Sequence, residues 1–182
     1  MIKLLLYCTK AKPYLVYDYY DNSCGKCITA DKIESYHLNG KIVAECECEK
    51  IDEWFWNGWW NCYAKNSDID VQIIDEEDIE KSCLNQYDLY DYLLGETGYA
   101  IHLSNVKVLN SPLQFKKDFI YKDYKTNAVF TKAPQNMCNV YDRFGNHYIL
   151  ISIQPQHLCK ILNGEKTIEV RKKILNSLKK VL

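Results

Sequence analysis

The chain has 182 residues, a length that allows a hydrophobic core without disulfides or metal ions and predicts one domain over residues 1–182. Its 47% hydrophobic and 26% charged residues exclude the disordered and fibrous classes. Because the sequence contains neither a long apolar run nor a signal peptide, we expect a cytoplasmic protein without membrane partners, whose nine cysteines are reduced.

The net charge of −1 conceals two oppositely charged segments. Residues 66–96 hold ten acids and one base, whereas residues 160–182 hold seven bases and two acids. Since Lys and Arg neutralise phosphates, a nucleic acid is expected to bind near the C-terminal segment. The alternative is a solvated basic surface.

The N-terminal part of the chain reads as strands and a loop. Apolar residues predict strands at 2–8 and 14–19, and polar residues with glycine predict a loop over 21–40. Residues 41–50 alternate at period two, which predicts a strand with one buried face. That face carries Ile42, Ala44, Cys46 and Cys48.

An aromatic cluster follows at Trp54–Trp60, and its Asn57-Gly58 pair predicts a turn. We expect the cluster to cover the core, because large aromatic side chains dominate the apolar burial of small proteins. The alternative is an exposed platform on which a base or sugar stacks.

The middle of the chain predicts one strand and two short helices. Residues 70–74 have strand character, and the acids from Asp75 onward are typical of a helix N-terminus. Asn85 is expected to cap a second helix that runs through Leu94 and ends at Gly95.

A further strand is predicted over 99–109, and Pro112 is expected to stop it. Residues 116–147 show little periodicity, which indicates either a meandering connection or a weak hairpin around Phe144–Asn146. The apolar run Tyr148–Ile153 then predicts a buried strand.

The C-terminal part predicts a strand–helix–strand unit over residues 148–173. Pro155 favours a helix start, and Asn163-Gly164 favours its end. The buried side of this helix is expected to carry Leu158, Ile161 and Leu162. Residues 174–182 predict a short basic amphipathic helix.

The residues that follow this helix carry the most chemistry. Gly164 allows the chain to reverse, which brings Lys166 to the mouth between the helix and the next strand. On that strand Thr167, Glu169 and Arg171 alternate onto one face. A lysine, a carboxylate and a guanidinium are thus expected to converge.

The spacing Gly164-x-Lys166-x-x-Glu169-x-Arg171 is similar to the GxKxxExR signature of ASCH domains, which belong to the PUA-like superfamily. The resemblance implies an α+β fold, a mostly antiparallel β-barrel with short helices at its mouth. It also implies a ligand-binding cleft lined by the signature.

The order of the elements differs from that of most members of the family, in which the signature lies near the N-terminus. A circular permutation accounts for this order, with residues 1–115 supplying the later elements and 148–173 the first ones. It predicts that Tyr7, Thr9 and Lys10 lie near the cleft mouth and bind ligand. Alternatively, the C-terminal segment swaps between the subunits of a homodimer.

The resemblance further implies binding of single-stranded RNA or of a nucleotide or modified nucleoside, and nothing in the sequence indicates binding to duplex DNA. Some small family members resemble amidohydrolases that act on acetylated cytidine nucleosides, and Lys166 matches their catalytic lysine. Their nucleophilic threonine position holds Glu169 here, and Thr167 lies about 6 to 7 Å from that position along a strand. In this second interpretation Lys166 acts as the base, Glu169 orients it and Arg171 holds an oxygen. A third interpretation is a protein-interaction module that uses Trp54–Trp60.

Other candidate sites carry weaker signals. Cys24 and Cys27 have the spacing of half a zinc site, with His37 nearby, but a second such pair is missing. His102 and His157 are expected to be structural. The sequence shows no phosphate-binding glycine loop, and we expect no cofactor.

Overall fold

The computed structural model describes residues 2–9, 38–63, 71–115, 119–122, 129–130 and 136–178. The predicted strand at 14–19 and nearly all of the predicted loop at 21–40 lie outside this range. The described strands are β1 (Ile2–Cys8), β2 (Ile42–Trp56), β3 (Trp60–Tyr63), β4 (Val71–Ile73), β5 (Gly98–Leu113), β6 (Phe119–Lys122), β7 (Val129–Phe130), β8 (Met137–Asp142), β9 (His147–Ile153) and β10 (Ile168–Arg171). The described helices are α1 (Glu76–Lys81), α2 (Gln86–Leu93) and α3 (Pro155–Leu162).

The chain divides into two compact units. The first unit comprises Met1–Glu47 and Asn105–Gly164, and the second comprises Cys48–Ser104 and Glu165–Leu182. The long strands β2 and β5 contribute residues to both units. The expectation of one domain over residues 1–182 stays a prediction.

The first unit is a sheet with the strand order β2-β1-β9-β8-β6-β7. Strands β1 and β9 pair in parallel, with Leu5 opposite Leu150, whereas β8 pairs antiparallel with β6 and β9. Both faces of β1 and β9 are buried, as is typical of central parallel strands. The core of this unit contains Leu5, Ile42, Phe115, Cys138, Val140 and Leu150.

The second unit contains β10, the adjoining parts of β5 and β2, and the small strands β3 and β4. Strand β10 pairs antiparallel with β5, and β2, β3 and β4 form an antiparallel meander. Helices α1 and α2 contribute Ile79, Leu89 and Leu93 to its core. Trp54 and Trp60 lie in the same core.

The α+β class is confirmed, since the described chain is mostly β-sheet with three short helices. The sheet is mixed, because β1 and β9 are parallel. Within the described residues the strand order does not close on itself, so the predicted barrel is not confirmed. None of the described helices is long and apolar enough to span a membrane.

Several local predictions are confirmed. Asn85 caps α2, since its side chain accepts a hydrogen bond of 2.8 Å from the Asp88 amide. Gly164 ends α3 with a φ of 79°, in the left-handed region that glycine tolerates best. The predicted hairpin at Phe144–Asn146 joins β8 to β9.

Other predictions are wrong. Strand β5 continues through Pro112 to Leu113, because β10 pairs only with residues 99–102 and leaves the far end of β5 without that neighbour. Of the two alternatives for residues 116–147, the hairpin around Phe144–Asn146 is found, and the described residues also include β6 and β7, which the sequence did not predict. On α3, Cys159 is buried in place of Leu162.

The predicted helix over 174–182 is also wrong where the structure describes it. Residues 173–175 have no regular structure, and 176–178 form a turn that places Leu178 in the interior. The remaining residues of this segment lie outside the described part of the chain.

Candidate functional site

The signature residues lie on β10 and on the turn that precedes it. The Thr167 amide donates to the Lys81 carbonyl at 3.0 Å, and the Leu103 amide donates to the Thr167 carbonyl at 2.8 Å. These two hydrogen bonds fix the chain between α1 and β5 just before β10 begins. Lys166 is therefore held at a defined position beside the end of α1.

The Lys166 side chain is buried, with 3% of the residue exposed. Its Nζ donates to the carbonyl oxygen of Ser82 at 2.5 Å and lies 3.4 Å from Glu169 Oε2. Both neighbours accept hydrogen bonds, so both contacts require the nitrogen to donate. These contacts suit an ammonium group with a structural role.

Glu169 lies between the two cations of the signature. Its Oε1 is 2.8 Å from Arg171 Nε, and its side chain is 9% exposed. Ile168 and Val170 point the other way into the core, so the predicted alternation of faces is confirmed. The predicted convergence of Lys166, Glu169 and Arg171 is likewise found, with Glu169 contacting both cations.

The two cations of this cluster differ in their access to solvent. Arg171 is the more accessible, since 15% of its side chain is exposed against 4% for Lys166. An anion from solvent therefore reaches Arg171 more readily than Lys166.

Tyr92 and Lys172 lie beside Arg171. The Lys172 Nζ is 5.5 Å from the centre of the Tyr92 ring, within range of a cation–π interaction. Burial raises the pKa of the Tyr92 phenol, and the charges of Arg171 and Glu169 act on it in opposite directions. The phenol is therefore neutral at physiological pH, and it places a polar hydroxyl group near Arg171 and Glu169.

The other predicted ligand-binding residues lie in the first unit or outside the described range. Tyr7 and Thr9 are at the end of β1, where the Thr9 amide donates to the Ile153 carbonyl at 2.9 Å. The pKa of the Tyr7 phenol is raised, mainly by burial and to a smaller extent by the electrostatic effect of the neighbouring Cys8. Lys10 lies outside the described residues, and its predicted role at the cleft stays a prediction.

The zinc candidates Cys24, Cys27 and His37 also lie outside the described residues. Within the described part of the chain, no three His, Cys, Asp or Glu side chains are grouped to hold a metal ion. Burial raises the pKa of the Cys8 and Cys138 thiols to about 12, so both stay protonated and are poor metal ligands.

A second polar cluster in the second unit was not predicted from the sequence. His102 Nε2 lies 2.7 Å from Asp52 Oδ2, and Lys50 Nζ lies 2.9 Å from the same oxygen. Burial acts to raise the pKa of Asp52, but hydrogen bonds from His102 and Lys50 outweigh it and lower the pKa below 3.8. The contact with Asp52 agrees with the expected structural role of His102. No sequence motif links these two residues, which are 50 positions apart.

We expect Asp52→Asn to reduce the free energy of unfolding by about 1 to 2 kcal/mol at pH 7, because the charged acceptor of two hydrogen bonds is lost. The pKa of Asp52 is lower in the folded state than in the unfolded state, so its ionised carboxylate stabilises the fold at any pH above the unfolded-state pKa. This contribution is lost as the pH falls through the pKa of Asp52 in the folded state. The difference between wild type and variant should therefore shrink below about pH 4. Urea unfolding of both proteins at pH 7 and pH 3 measures the difference in the free energy of unfolding. An equal difference at the two pH values would contradict stabilisation by the ionised Asp52.

No model of a known protein family matches the chain, and no curated protein or solved structure matches it either. The functional argument therefore depends on the geometry of the described residues.

Proposed function

We propose that the protein is a cytoplasmic nucleotide-binding module of the ASCH type that recognises a nucleotide unit, within single-stranded RNA or as a modified nucleotide. The observation that carries the proposal is the grouping of two neighbouring cations, Arg171 and Lys172, beside the ring of Tyr92. The proposal includes a PUA-like barrel reached through a circular permutation.

The cations would bind phosphate. Glu169 contacts the guanidinium at Nε, which limits the side-chain entropy that Arg171 loses when it binds an anion. A guanidinium binds phosphate oxygens in a forked geometry, and the exposed Lys172 adds a second positive charge. This pair of neighbouring cations suits one phosphate of a nucleic acid backbone.

The aromatic ring would bind the base. Tyr92 is 40% exposed, and stacking of a base on such a ring does not depend strongly on base identity. Glu169 would accept a hydrogen bond from a base or ribose donor. A cation pair next to a stacking ring is the arrangement expected for single-stranded rather than duplex nucleic acid.

Catalysis by Lys166 is not part of this proposal. A general base must reach the proton that it abstracts, whereas the Lys166 Nζ is buried and already donates to the Ser82 carbonyl beside Glu169. We assign Lys166 to positioning Glu169.

Fluorescence anisotropy with a labelled eight-nucleotide single-stranded RNA, and with nucleotide competitors, tests the proposal. We expect Arg171→Gln to weaken binding about 10-fold or more, because a charge-assisted contact to phosphate is lost. Lys160→Gln on α3 removes the same charge from the first unit and should change binding less than 2-fold.

A second variant separates stacking from charge. Tyr92→Leu should weaken binding 5-fold or more and leave the salt dependence of binding unchanged, whereas Arg171→Gln should reduce that dependence. Circular dichroism under the same conditions verifies that both variants are folded. Equal losses in Arg171→Gln and Lys160→Gln would contradict a defined site, and no binding by the wild type would overturn the proposal.

A further inference from the structure

Strand β4 lies at an edge of the second unit, as far as the chain is described. Within the described chain it pairs only with β3, through Asn61–Ile73, Cys62–Gln72 and Tyr63–Val71. All three of its residues are exposed. Exposed sheet edges are sites at which another extended chain can add by main-chain hydrogen bonding.

The hydrogen-bonding pattern shows which backbone groups face outward. The Ile74 amide donates to the Trp60 carbonyl at 2.9 Å, which makes Ile74–Trp60 a hydrogen-bonded pair. Because such pairs alternate along antiparallel strands, Gln72 also points its backbone groups towards β3. The amide and carbonyl groups of Val71 and Ile73 therefore point towards the open edge.

The side chains beside this edge are apolar. Ile73 is 67% exposed, Val71 48% and Tyr63 52%, and the Tyr63 ring lies 4.9 Å from the Phe55 ring. Residues directly opposite each other or two apart along a strand share a face, so all four side chains lie on one face of the meander. The core tryptophans Trp54 and Trp60 lie on the other face.

The charge next to the edge is strongly negative. Residues 71–80 contain five acids and no base. These acids are Asp75, Glu76, Glu77, Asp78 and Glu80. Of the five, Glu77 and Asp78 are paired with Lys81, and Asp75, Glu76 and Glu80 are exposed.

We propose that β4 is a docking edge for an extended, basic segment of a partner protein, in which apolar residues alternate with Lys or Arg. The segment would add as a strand to Val71–Ile73, place its apolar side chains against Val71 and Ile73, and place its basic side chains near the exposed acids. Pairing of two β4 edges is disfavoured, because it brings the same acidic run of two copies together. This site is separate from the residues proposed to bind a nucleotide.

Fluorescence anisotropy with a labelled Lys-Val-Lys-Val-Lys-Val-Lys peptide tests this inference on the 182-residue chain. We expect saturable binding by the wild type and at least 10-fold weaker binding by Ile73→Lys. Tyr87→Lys on α2 adds the same charge at a residue that is 84% exposed and should change binding less than 2-fold. A peptide with Glu in place of Lys should not bind.

A backbone test is independent of side-chain charge. Val71→Pro removes an outward amide but no hydrogen bond to β3, and it should also weaken binding of the basic peptide. The Arg171→Gln variant should bind the peptide as tightly as the wild type does. Peptide binding therefore tests the β4 proposal even if the nucleotide proposal fails.

Three results would overturn the inference. They are no binding of the basic peptide, equal binding by the Ile73→Lys and Tyr87→Lys variants, and a concentration-dependent dimer in sedimentation velocity that Ile73→Lys abolishes. The second result would show that the acidic residues attract the peptide without pairing at β4. The third would identify a second copy of this chain as the occupant of the edge.

Discussion

Glu169→Gln is expected to reduce the free energy of unfolding of the second unit by about 3 to 5 kcal/mol, because it removes the carboxylate from a buried ion-pair cluster. Lys166 is 4% exposed and Arg171 15% exposed at their side chains, and both contact Glu169. The amide of glutamine keeps the shape of the side chain but supplies no charge. Its single oxygen can replace only one of the two carboxylate oxygens, so the NH2 group faces either Lys166 or Arg171.

Urea unfolding followed by tryptophan fluorescence measures this loss. All four tryptophans lie in Trp54–Trp60, so the signal reports on the second unit. Glu96→Gln makes the same chemical change at an exposed position and should cost less than about 0.5 kcal/mol. The double variant Lys166→Met with Glu169→Gln should recover part of the loss, because it also removes a buried charge. A loss below about 1 kcal/mol for Glu169→Gln would mean that water screens the cluster.

Trp54→Ala is expected to cost about 3 to 5 kcal/mol, because it removes a large, fully buried side chain and leaves a cavity. Trp54 is 1% exposed and packs with the residues that α1, α2 and β10 bury in the second unit. Trp54→Phe keeps part of this volume and should cost less, which provides a measurable variant if the alanine variant does not fold.

The matched control is Trp59→Ala in the same hairpin. Trp59 is 63% exposed at the turn, so its truncation should change the free energy of unfolding by less than about 0.5 kcal/mol. Equal losses in Trp54→Ala and Trp59→Ala would contradict the division of this cluster into core and surface residues.

This division settles one choice that the sequence left open. The expected burial of the cluster is found for Trp54 and Trp60, which belong to the core. The expected Asn57-Gly58 turn is found as well, with Gly58 at a φ of 76°. An aromatic run in a strand alternates between faces, so one half of it packs inside while the other half borders solvent. A stacking platform formed by the whole cluster is therefore not available.

Local signals predicted much of the described secondary structure. Alternation predicted the first part of β2, apolar runs predicted β1 and β9, and the Asn85 cap predicted α2. Each of these signals acts within a few residues of the chain, through side-chain periodicity or through capping of free amides.

The contacts that complete the two polar clusters could not be predicted in this way. Ser82 supplies the carbonyl for Lys166 from 84 positions away, and a main-chain group leaves no signature in a side-chain pattern. The pairing of Asp52 with His102 depends in the same way on how β2 and β5 come together. Pro112 was misjudged because its effect depends on which neighbour its strand has at that end.

The sequence by itself determined which residues of the candidate site share a strand face, since the alternation of Thr167, Glu169 and Arg171 against Ile168 and Val170 follows from strand geometry. The tertiary structure decided what that face contacts. It buries Lys166 against the end of α1, leaves Arg171 partly exposed beside Tyr92, and gives β4 only β3 as a neighbour among the described strands. The physical reason is that periodicity is a property of the local chain, whereas burial and charge pairing depend on residues that only folding brings together.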